Sequence, residues 1–300
     1  MDEALRRMAN YKKQHYLPSA YLKYFSTDQT TCNRDSQVWR FDGKDQRCVP
    51  VASQCVGDYM YSKTRAAETE QMFQISENAY CQCVDKIRKS QRPVGRHRGD
   101  LLLAMFDLYL RNAVHKNSTG KEGIDAYGRR VDIFISQILL DRTEDEITKS
   151  DIKNHLERFW RIEIISAPPA QYFVTSDNPS VWISLRELRN KSKPALDLIT
   201  LPLTPKYTAV AFDRRTLEVI RKQATPQDGA SLNIGQIQNA ERCIYTSRPL
   251  GDKPIQVMKR YLDGKPAQSC EVDGHAWRLV LQHLPPAHHF SFMKLRSPLH

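Results

Sequence analysis

The feature that most constrains this chain is residues 172–183, where Tyr172, Phe173, Val174 and Thr175 run into Ser176-Asp177-Asn178-Pro179 and emerge as Ser180-Val181-Trp182-Ile183. Aromatic and β-branched residues suit a pleated, half-buried surface, so both flanks are expected to be strands. Asn178 precedes a proline, which holds it out of the helical region, and Asp177 and Asn178 readily close side-chain turns. The spacing predicts paired strands joined by a compact polar turn, with Asp177 at a strand end. Two roles fit an aspartate there: a turn-former bonded to nearby amides, or a carboxylate presented to a ligand.

The rest of the chain arranges itself around that stretch. His15 stands just ahead of Pro18, a residue suited to a first helical position, and Tyr21, Leu22 and Phe25 then share one helical face. There the helix N-terminus favours a neutral imidazole, able to act as base or hydrogen-bond partner; a buried histidine bonded to main chain is the plainer reading. Val38-Trp39-Arg40-Phe41 running into Asp42-Gly43, with a return through Cys48-Val49-Pro50, predicts an edge hairpin. Residues 64–88 predict a helix, and residues 101–114, apolar nearly all round, predict a core helix. Asp107, Arg111 and His115 interrupt that core helix at i, i+4 and i+8. Either Asp107 and Arg111 pair, or Arg111 reaches into a cleft to hold an anion. Further helices are expected at 131–141 and 231–240, a capping box at Thr143 and Glu146, and strands at 162–165, 198–205, 207–212 and 243–246.

Charge points at a partner. The formal net charge is +11, and basic residues concentrate between Lys86 and Arg98 with pairs at Arg129-Arg130, Arg214-Arg215, Arg221-Lys222 and Lys259-Arg260. Such an excess favours nucleic acid or an acidic partner, although a solvated basic surface fits the same composition. No apolar run approaches the length of a bilayer span, and the start of the chain lacks an apolar leader, so a cytoplasmic protein without membrane association is expected. Seven cysteines, an odd number, fit reduced thiols better than a disulfide framework. Cys48, Cys55, Cys81 and Cys83 match no standard zinc-finger spacing, and His275, His283, His288 and His289 lack partners at fixed helical spacing, so neither a metal nor a cofactor is expected.

Five segments in order carry a resemblance: His15-x-x-Pro18-x-x-Tyr21-Leu22-x-x-Phe25, residues 38–42, Leu110-Arg111, Thr175-Ser176-Asp177-Asn178-Pro179, and Pro202-Leu203-Thr204-Pro205 followed by Asn233 and Ala240-x-Arg242. Over roughly residues 10–250 the chain resembles the chiefly bacterial family of proteins of unknown function DUF4238. The resemblance implies a shared fold and a reused set of polar positions, and its name carries no activity. The family pattern often has a proline soon after the arginine of its middle helix, where Asn112 and Ala113 stand here.

The expectation for the whole is an α+β fold in one domain: an N-terminal motif and hairpin (10–60), a central helical block (64–160) packed against a mixed or antiparallel sheet, a β-rich half (161–250) and a C-terminal extension (251–300). Two functions fit. The first is a hydrolase acting on nucleic acid or another phosphate ester, with His15 as general acid or base, Asp177 orienting it or a water, Arg111 on phosphoryl charge, and Gln14, Asn178 and Asn233 fixing substrate. A metal-dependent variant would use Asp177 with His15 and Glu68 or Glu70. The second is a non-catalytic binding or regulatory protein, in which those residues are structural keystones and the basic surface recruits nucleic acid or an acidic partner.

Overall fold

Hydrogen bonding divides the β-rich half between two four-stranded antiparallel sheets. A computed structural model describes residues 13–28, 30, 33, 35–58, 66–90, 98–111, 158–183, 198–215, 217–252, 255, 256, 259 and 290–295. Within these, β1 (Lys13–His15) leads through Pro18 into a short helix α1 (Ser19–Leu22) and a 3-10 turn (Lys23–Phe25). The hairpin β2 (Gln37–Phe41) and β3 (Gln46–Pro50) follows, then β4 (Val56–Asp58), which pairs back on β1, and the helices α2 (Ala66–Ser90) and α3 (Arg98–Leu110). The C-terminal half supplies β5 (Trp160–Ser166), β6 (Thr175–Ser176), β7 (Val181–Ile183), β8 (Leu198–Thr204), β9 (Tyr207–Asp213), β10 (Leu217–Val219), α4 (Pro226–Asn239) and β11 (Ile244–Thr246). A last strand, β12 (Met293–Leu295), pairs with β10.

One sheet has the order β3-β2-β11-β6 and the other β5-β9-β8-β7, both antiparallel. This α+β architecture agrees with the sequence expectation, including the edge position of the hairpin strand that ends on Pro50. The expectation of paired strands around Asp177 requires correction. β6 joins β11 and β7 joins β8, so residues 177–180 are the crossing from one sheet to the other. Alternating apolar residues mark a strand but do not name its neighbour, and each flank finds its longer partner elsewhere. The helix expected at 231–240 starts five residues earlier, at Pro226, where Thr225 and Asp228 form a capping box. Residues 112–157, which hold His115, the helix expected at 131–141 and the Thr143 capping box, lie outside the described residues, as do residues 261–289.

The pleat sorts side chains between cores. Ile162, Ile164, Ile199, Leu201, Ala209 and Ala211 face the largest cluster, shared with Met105 and Phe106 of α3 and with Tyr21, Tyr24 and Phe25 of the N-terminal motif. From the opposite face of that sheet, Ile165, Leu198, Val210 and Phe212 pack on Leu232, Phe292 and Met293. The other sheet gives Tyr245 to the large cluster and Phe41 and Ile244 to a third, with Val174 and Ile237. Both sheets are thus covered on two faces, and residues 172–180 run where the cores meet.

Ahead of them, Pro168 to Gln171 form a turn closed by Gln171 N–H donating to Pro168 O at 3.1 Å. Its third residue, Ala170, has φ 62°, the left-handed conformation a type II turn demands there. A Cβ in that region costs about 1–2 kcal/mol, whereas glycine adds somewhat less than that in unfolded-state entropy. Ala170→Gly should therefore raise the unfolding free energy by about 0.5 kcal/mol, read as a higher urea midpoint at constant m-value.

Candidate functional site

Arg111, the residue after α3, is the largest fully buried side chain among the described residues, at 1% exposure. Its Nη1 donates to Glu77 Oε1 at 2.9 Å and lies 3.4 Å from Asp107 Oδ2, while Nη2 donates to the His15 carbonyl at 2.8 Å. The guanidinium carbon sits 3.9 Å from the centroid of the Phe73 ring. Ser76 Oγ donates to Asp107 Oδ2 at 2.8 Å. One arginine therefore ties α2, α3 and β1 together, and its planar fork is matched to carboxylate and carbonyl acceptors of the chain itself. Burial pushes the Glu77 carboxyl up, and Arg111 pulls it back down. Glu77, Asp107 and Ser76 also line a small pit of about 10 Å³ with Pro18, Tyr21 and Tyr80, room for about one water.

Asp177 is 3% exposed, and both of its oxygens accept main-chain hydrogen bonds: Glu241 N–H at 2.8 Å, Arg242 N–H at 2.8 Å and Cys243 N–H at 3.2 Å. Its own N–H donates to Cys243 O at 3.0 Å. The carboxylate thus caps the loop between α4 and β11. Burial pushes its carboxyl up to about 6, against the pull of those amides.

The crossing between sheets is held by α4. Asn233 accepts Val174 N–H and donates to Tyr172 O, both at 2.9 Å, in the manner of a strand neighbour. Gln236 donates to Pro179 O at 2.7 Å and accepts Ser176 Oγ–H at 3.1 Å. Asn239 donates to Asn178 O at 2.6 Å, and Asn178 returns the bond to Asn239 O at 3.1 Å. Asn178 Oδ1 is buried with no hydrogen-bond partner among the described residues. Ser180 Oγ donates to Met105 O at 2.8 Å, fixing the far end of the crossing to α3.

Among the expected site residues, the fold brings Arg111 to the main chain of His15, and gathers Asp177, Asn178 and Asn233 along α4 and its following loop. The His15 ring meets the Ala52 carbonyl at 3.3 Å through Nε2, whereas the Asp177 carboxylate is engaged by the 241–243 amides. Gln14 lies in β1 opposite Gly57. Glu77, Gln236 and Asn239 were not singled out by sequence. Their signals are spacing: Phe73, Ser76, Glu77 and Tyr80 fall on one helical face, and Asn233, Gln236 and Asn239 recur every third residue.

Cys48, Cys55, Cys81, Cys83 and Cys243 are free thiols. The buried Cys55 Sγ lies 3.1 Å from the Tyr245 hydroxyl, and burial pushes the thiols of Cys83 to about 11 and Cys243 to about 12, which suits inert protonated sulfur. Among the described residues no group of three or more His, Cys, Asp or Glu is placed to hold a metal ion, and no helix is long and apolar enough to cross a membrane.

These features define an α+β protein whose buried polar centres are ion pairs and side-chain to main-chain contacts. The family described as protein of unknown function (DUF4238) matches residues 13–249, and the chain belongs to it. Comparison with curated proteins and with solved structures returns no match.

Arg111→Met should cost on the order of 3 kcal/mol at neutral pH, because it leaves two half-buried carboxylates and the His15 carbonyl without their cation. In urea melts the loss should shrink as the pH is lowered and Glu77, whose carboxyl burial pushes up, takes a proton. Asp177 makes a second pH-dependent contribution. Its folded value lies above the unfolded one, so the native state binds the extra proton and stability falls as pH rises from about 4 through 6, by on the order of 3 kcal/mol. Asp177→Asn should flatten that slope and lower stability at pH 7, since its NH2 must confront a main-chain N–H; an unchanged slope would refute the assignment.

Proposed function

We propose that this protein acts by binding a polyanionic partner through its basic surface, with His15, Arg111, Asp177 and Asn233 serving as the keystones of the fold. The observation that carries this reading is the engagement of two of the catalytic candidates by the protein itself. Arg111, at 1% exposure, directs its Nη donors at two carboxylates and a carbonyl, and Asp177 directs its oxygens at three amides. An arginine that is to hold a phosphoryl group needs donors facing a ligand, and a carboxylate that is to orient a base must meet it within hydrogen-bond reach or through one water. The formal charge of +11 then stands as the feature that selects a partner.

The alternative is hydrolysis at the pit beside Arg111, where Glu77 combines a raised carboxyl with partial exposure. One experiment separates the two. Purified protein is incubated with mixed RNA and DNA, followed by gel analysis and filter retention, alongside His15→Ala and Glu77→Gln. Binding predicts retention that weakens steeply with salt, intact nucleic acid, and retention by both variants wherever they stay folded. Cleavage by the wild type that either variant abolishes would overturn this reading in favour of a hydrolase.

A further inference from the structure

Building on the proposed polyanion-binding role, we infer that the strand pair β5–β9 carries at its Trp160/Asp213 end an arginine platform that binds single-stranded nucleic acid. The residues come together through antiparallel register. Trp160 pairs with Asp213 and Arg161 with Phe212. One step beyond the strand, Arg214 N–H donates to Phe159 O at 2.9 Å. That brings the main chain of Arg158, Arg161, Arg214 and Arg215 to one end of the β5–β9 pair, within about 10 Å of chain. Phe159 supports two of them, Arg158 and Arg215. The guanidinium carbon of Arg215 lies 4.2 Å from its ring centroid and that of Arg158 lies 5.1 Å away.

Among the described residues, the charge at this end is not balanced internally. Asp213 neutralises Arg215 through bonds at 2.6 to 3.0 Å, and Glu163 further along β5 is engaged by Lys222 at 3.0 Å. Arg158, Arg161 and Arg214 make no ion pair among the described residues. Arg158 is exposed, and Arg161 and Arg214 are half-buried. Like charges on neighbouring strand positions repel, so this arrangement is costly until anions sit between the guanidiniums. Phosphodiesters fit the need, since the planar fork binds phosphate oxygens with two parallel bonds.

A single strand is favoured over a duplex because guanidiniums backed by an aromatic ring, as Arg158 and Arg215 are by Phe159, are stacking platforms for bases that have left a helix. An acidic polypeptide would satisfy the charge and leave those planes unused.

The test uses the full chain and fluorescence anisotropy across a salt series, with labelled mixed-sequence single-stranded RNA, single-stranded DNA, duplex DNA and poly-glutamate as probes. Wild type should prefer the single strands. Arg158→Glu with Arg214→Glu should weaken single-strand binding about ten-fold or more and reduce the log–log salt slope by about 1.4, two contacts at about 0.7 each. Arg158→Gln with Arg214→Gln should do the same more mildly and guards against misfolding of the charge reversal, both being checked by thermal melts. Arg47→Glu, exposed on β3 and paired with Asp45, should bind as wild type does.

If wild type binds single strands and both double variants match it, the platform is wrong while the broader binding role stands. If poly-glutamate binds and nucleic acid does not, the nucleic-acid assignment is overturned. Wild type that binds none of the probes would sink both.

Discussion

The structure depends on how residues 172–180 satisfy their main chain. This segment passes from one sheet to the other through the meeting point of three apolar clusters, where water cannot serve its N–H and C=O groups. An unpaired buried amide costs about 1–3 kcal/mol, and several stand in a row here. The chain answers with side chains that imitate a strand: Asn233, Gln236 and Asn239 from one helix, and the Asp177 carboxylate turned back on residues 241–243. Each of these groups is buried or half-buried, and each is bonded to main chain rather than to another acid or base.

Arg111 plays the equivalent part for the helical side. A guanidinium at 1% exposure is tolerable only where its charge is met, and Glu77, Asp107 and the His15 carbonyl engage its two Nη groups. Because those acceptors lie on α2, α3 and β1, the ion cluster also sets how the N-terminal motif sits on the helices. Tyr21 extends the connection: its hydroxyl bonds Thr175 Oγ1 and the Pro202 carbonyl, both at 2.7 Å. The histidine motif, the middle-helix arginine, the aspartate turn and the 202–205 segment are thus linked through α1, β1 and the two sheets. That linkage accounts for four distant stretches of sequence belonging together without requiring them to share a substrate.

Where elements lie was largely legible in the sequence. The β2–β3 hairpin followed from alternation and an Asp-Gly turn, α3 from an almost unbroken apolar run, and β8–β9 from β-branched residues around Thr204-Pro205-Lys206. The polar residues worth attention were also visible, since His15, Arg111, Asp177 and Asn233 stand out against apolar surroundings. Their partners were not. A buried arginine looks the same in sequence whether it holds a phosphate or two carboxylates, and an aspartate at a strand end looks the same whether it faces a ligand or three amides.

Sequence alone therefore determined the fold class, the main strands and helices, the family and the basic balance of the chain, because these rest on local periodicity, turn chemistry and summed charge. Tertiary structure decided that β6 and β7 belong to different sheets, that Glu77 and not Asp107 alone engages Arg111, and that Arg158, Arg161, Arg214 and Arg215 fall at one end of the β5–β9 pair. The physical reason is range. Periodicity acts over a few residues, whereas partnership at 64 or 96 residues' separation is set by which buried groups must be satisfied once the sheets close.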